Sequence, residues 1–190
     1  MRGLALIAAL AVMGHGATAV ADDEAWIKLQ PGEVKVIEDA GKVPPLARAA
    51  AGYAPDEIIS RVISFTFFKA PHGRELVVVN PCCGEKGNGA SLFEYTQGVT
   101  KSVELSLGDP REGFIAQAHA DMIHVEPAAK ALSARIGLAD CEDGVWSYYY
   151  QFDDADRPVL LSVIDTSCEH LGVRELYRAK NSVLGHWWMK

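Results

Sequence analysis

No apolar run in this chain of 190 residues, the opening one included, is as long as a membrane-crossing helix needs, which argues against a helical span. G-x-S-x-G, S-x-x-K and G-x-x-x-x-G-K-[ST] patterns are all missing, so no serine is marked as a nucleophile and no loop as a phosphate cradle. There is no repeat of fixed period and no low-complexity linker. Positive charge is also in short supply: 18 Lys and Arg stand against 25 Asp and Glu, for a net charge of −7. That balance argues against nucleic acid or an anionic membrane as partner and permits a basic protein.

What is present begins with residues 1–21. A lone Arg2, an apolar run over residues 4–13 and Ala19-Val20-Ala21 before Asp22 read as a secretory signal peptide with an A-x-A cleavage site. No cysteine stands at the junction, so the product expected is a periplasmic or secreted chain, residues 22–190, forming one β-rich domain. Its four cysteines, Cys82, Cys83, Cys141 and Cys168, read as two disulfides in an oxidising compartment. Either Cys141 and Cys168 each take one of the vicinal pair, or they bond to each other and leave a Cys82–Cys83 bond, whose small ring needs unusual backbone geometry.

The strongest pattern lies at residues 144–168. Alternation puts Trp146, Tyr148, Tyr150 and Phe152 on one face of a strand and Val145, Ser147, Tyr149 and Gln151 on the other. The apolar run at residues 159–164 is a second, largely buried strand. Asp153, Asp154, Ala155, Asp156 and Arg157 supply the turn between them. A turn centred on Asp154 and Ala155 would set Cys141 opposite Cys168.

Other strands are expected at residues 32–38, 61–69, 75–80, 91–96, 101–107, 122–126, 131–138 and 173–178, with helical turns near residues 46–51 and 55–57. Residues 114–120 fit helix or strand equally. Short strands broken by turns, with one or two short helices, predict an all-β or mainly β fold: an antiparallel meander, sandwich or incomplete barrel.

Candidate chemistry is sparse. His119, Asp121 and His124 are ligand types for a metal, and His170 beside Cys168 is a fourth candidate that only the fold could bring to them. On a strand, however, His119 and Asp121 share a face that His124 does not. The acidic turn lacks the glycine and glutamate an EF loop requires. The aromatic face of residues 146–152 reads as core before it reads as a carbohydrate or protein platform. Trp187 and Trp188, adjacent in the tail, are contact candidates. No cofactor is implied, and no residue is marked as catalytic.

The succession LVVVN, SLFEYTQG, ALSARIGLADC, GVWSYYYQFDDADRPVLLSVIDTSC and VRELYR, over residues 75–178, resembles exported β-proteins related to bacterial periplasmic lysozyme inhibitors. That resemblance implies a non-enzymatic binding protein that inhibits a lysozyme or other cell-wall enzyme by inserting a loop bearing Ser and Tyr. Ser147 and Tyr150 are the nearest match, as S-x-x-Y where the family has S-G-x-x-Y. Ser147, Tyr149, Tyr150, Gln151, Trp187 and Trp188 are therefore the candidate partner-binding residues. The alternative is a small periplasmic metal-binding or thiol-redox protein using the histidines and cysteines.

Overall fold

The computed structural model describes residues 27–50, 62–81, 89–96, 99–114, 120–137, 144–166 and 173–180. Among these residues ten strands form two five-stranded antiparallel sheets, each a meander in chain order. The first holds β1 (Val34–Ile37), β2 (Val62–Lys69), β3 (Glu75–Pro81), β4 (Ser91–Thr96) and β5 (Val99–Ser102), with the short helix α1 (Pro45–Ala50) between β1 and β2. The second holds β6 (Met122–Val125), β7 (Ala131–Gly137), β8 (Val145–Phe152), β9 (Pro158–Asp165) and β10 (Arg174–Arg178). The fold is all-β and antiparallel, as the spacing of strands and turns predicts.

The two sheets pack face to face. Phe68, Leu76, Val78 and Leu92 of the first meet Ile123, Leu132, Tyr148, Tyr150, Phe152 and Val163 of the second in one buried cluster. Phe68 and Phe152 lie with ring centroids 5.8 Å apart, joining the sheets directly. All four aromatic residues on the even-numbered side of β8 contribute to this interior, which is why that side is so uniformly aromatic.

The first sheet is covered on its other face as well. Phe65, Phe67, Val77 and Val79 form a second cluster with Leu29, Val43 and Ala47 from the segment before β2. Burial on both faces explains why β3 reads L-V-V-V without alternation, since neither side of that strand meets water. Its tight link to β2 depends on Gly73, whose φ of 109° suits a residue without a Cβ.

Two expectations need correction. The strand expected at residues 101–107 is shorter and begins earlier: β5 spans Val99–Ser102, and after Val103 donates its N–H to the Leu92 carbonyl the chain leaves the ladder. The cause lies in the second sheet, where Tyr150 and Tyr148 donate their hydroxyls to the carbonyls of Ser106 (2.8 Å) and Gly108 (2.9 Å). The β8–β9 register is also displaced. Phe152 faces Pro158 and Trp146 faces Asp165, with an irregularity between Tyr149 and Tyr150. The turn centres on Ala155, because Asp153 N–H bonds the Arg157 carbonyl and Asp156 takes the left-handed conformation at φ 53°. The bulge then slips the pairing further toward the hairpin base. The cysteines lie outside the described residues, so their pairing is not placed.

Candidate functional site

With the first sheet covered on both faces, the outward side of the second sheet is the sheet surface on which the candidate residues of β8 meet their neighbours. Register sets its rows. Tyr149 lies between Ser133 of β7 and Ser162 of β9, and Ser133 in turn faces His124 of β6. In the next row Ser147 lies between Arg135 and Ile164, and Gln151 lies between Ala131 and Val159 beyond it. Period-2 geometry thus places Ser147, Tyr149 and Gln151 on one surface with Arg135 and His124.

Exposure varies across that surface. Gln151, Arg135 and His124 are exposed and Ser147 and Tyr149 half-buried, while Ser133 and Ser162 are buried. The Ser162 hydroxyl donates to Glu175 at 2.9 Å, and Glu175 also accepts from Arg178 at 3.0 Å. Desolvation by its neighbours, followed by the charge of Arg135, holds the His124 pKa below the ordinary histidine value.

Tyr150 sits on the other side. It is 1% exposed, belongs to the inter-sheet interior and donates its hydroxyl to Ser106. Ser147 and Tyr150 therefore face opposite ways, because an odd separation along a strand reverses the side. The S-x-x-Y pair does not form one contact surface in this conformation. His119, His170, Trp187 and Trp188 lie outside the described residues.

Asp121 and His124 are separated by role. The Asp121 carboxylate accepts the Gly137 N–H, tying the start of β6 to the end of β7. Among the described residues no group of three or more His, Cys, Asp or Glu side chains is placed to hold a metal. No helix among them is long and apolar enough to cross a membrane.

The acidic turn is a structural clamp. Asp153 accepts from the N–H groups of Ala155 (2.9 Å) and Arg157 (2.8 Å) and pairs with the Arg157 guanidinium. Asp156 is 2% exposed and reaches across to the β2–β3 turn. There its carboxylate accepts from the His72 N–H (3.0 Å), the Arg74 N–H (2.9 Å) and the His72 ring at Nδ1 (3.1 Å). Arg74 completes the contact by donating to the Asp156 carbonyl at 3.0 Å and to Glu94 at 2.6 Å. With three donors on its carboxylate, Asp156 connects the two sheets.

Arg135, His72 and Arg74 escaped the sequence reading, and His124 entered it only as a metal-ligand candidate. Arg135 carries a legible sign, since polar Ser133 and Arg135 alternate with apolar Leu132, Ala134 and Ile136 along β7. Which β8 residue each would face depends on register, which alternation leaves open. His72 and Arg74 meet Asp156 only through tertiary folding. The chain matches no protein-family model, no curated protein and no solved structure.

Proposed function

We propose that the chain is an exported, non-enzymatic binding protein whose partner is a basic protein of the lysozyme or cell-wall-enzyme class. The observation that carries this reading is the outward surface of the second sheet, where Ser147, Tyr149 and Gln151 stand beside Arg135 and His124. A tyrosine on a rigid strand offers large contact area at low entropic cost, and neighbouring Ser and Gln supply adaptable hydrogen bonds. The net charge of −7 favours encounter with a basic partner, an effect that weakens with salt. The strand pattern over residues 75–178 supports the partner class. Contact would run through the Ser147–Tyr149–Gln151 side, because Tyr150 is turned into the core.

The test is binding of the secreted protein to lysozymes of several classes by calorimetry, alongside inhibition of cell-wall lysis. Tyr149→Ala is expected to weaken binding tenfold or more, roughly 1.4 kcal/mol or above, while leaving the thermal transition within a few degrees of wild type. Wild-type protein that neither binds nor inhibits any lysozyme class removes the partner assignment. A Tyr149→Ala variant that binds as tightly as wild type removes the surface.

A further inference from the structure

We propose that the gap between the two sheets beside β4 and β6 is a second binding site, independent of the outward surface, for a small amine with an apolar body. The start of β4, the chain at residues 102–107 and the start of β6 border a partly open cavity of about 280 Å³. Ala90, Leu92, Leu105, Leu107, Ala120 and Ile123 line it. Ligand pockets begin near 300 Å³, so the space suits a single ring or a short alkyl chain.

Polar contacts prop its walls open. On one side, residues 103–108 are held by the hydroxyls of Tyr150 and Tyr148, which donate to Ser106 and Gly108 from within the interior. On the other side, the buried Asn80 amide grips both backbone groups of Ile123, donating to its carbonyl and accepting its N–H at 2.9 Å each. Ala90 N–H adds a 2.6 Å bond to the Ala120 carbonyl. Collapse into the cavity would break these bonds and strand buried carbonyl and amide groups. A space propped in this way keeps its shape and is suited to being filled from outside.

The lining also selects charge. Among the described residues its polar members are Ser91, Ser102 and Glu104, and none of those lining it is basic. Glu104, exposed to solvent, is the charged group a ligand's polar end would meet. An ammonium can donate to that carboxylate while the ring or chain rests against Leu92, Leu107 and Ile123. A carboxylate ligand would meet repulsion at the same place.

Titration of the full secreted chain with phenethylamine, ethylbenzene and 3-phenylpropionate, followed by backbone amide NMR, tests the assignment. Saturable shifts centred on Ala90, Leu92, Ala120 and Ile123 are expected with the amine and, more weakly, with the hydrocarbon. Glu104→Gln, an exposed change that leaves the interior intact, should weaken the amine tenfold or more and leave ethylbenzene unaffected. Ala120→Leu should abolish both by filling the space, and Tyr149→Ala should change neither. Absence of saturable shifts with all three compounds overturns the site. Equal affinity for amine and carboxylate, or an unchanged amine affinity in Glu104→Gln, overturns the ligand class.

Discussion

Tyr148 and Tyr150 combine two roles that usually compete. Their rings fill the inter-sheet interior while their hydroxyls, at the far side of that layer, hold the irregular chain after β5. Burial pushes the Tyr148 pKa up to about 12 and raises that of Tyr150 beyond the ordinary phenol range. The folded protein thus keeps protons that the unfolded chain releases near pH 10. Above that pH the native state binds more protons than the unfolded one, so stability falls as pH rises. Both tyrosines therefore contribute fully below pH 10 and progressively less above it. Denaturant titrations should give a constant midpoint from pH 8 to 9.5 and a falling one toward pH 12. Tyr150→Phe, which keeps the ring and loses the bond to Ser106, should reduce that fall and lower stability at neutral pH by about 1 kcal/mol. An alkaline limb as steep in this variant as in wild type would show that another group controls it.

The β8–β9 hairpin shows how an element can be legible while its placement is not. Its alternation, its turn residues and the inward aromatic side all follow from side-chain period and composition. Its register was expected elsewhere, because a left-handed Asp156 and a bulge beside Tyr150 each displace the pairing. The same turn carries an interaction that no local pattern announces. Asp156 is separated from His72 by 84 residues along the chain, yet its carboxylate accepts three hydrogen bonds from the β2–β3 turn. Replacing it by Ala leaves the N–H groups of His72 and Arg74 without that acceptor. Asp156→Ala should cost about 2–4 kcal/mol in chemical denaturation. Asp154→Ala, on the exposed part of the turn, should stay within about 0.5 kcal/mol of wild type. Equal effects of the two changes would mean that the clamp adds nothing beyond the turn itself.

Taken whole, the molecule is asymmetric: the first sheet is enclosed by the second sheet on one side and by residues before β2 on the other. Phe67, fully buried under that outer cover, tests how far the cover contributes. Phe67→Ala should lower stability by about 3–5 kcal/mol, and deleting residues 27–50 should expose Phe65, Phe67, Val77 and Val79 and produce dye-binding, self-associating protein. A deletion variant that stays monomeric and binds no apolar dye would show the cover to be dispensable. The all-β class, most strand positions and the inward turn of residues 146, 148, 150 and 152 were legible in the chain alone, because side-chain period and turn chemistry are local properties. Pairing register, the cover over β2 and β3, the Asp156 clamp and the cavity beside Ala90 and Ala120 depend on contacts between segments far apart in the chain. Such contacts are selected by packing and by the pairing of buried polar groups, and neither is encoded within a single window of sequence.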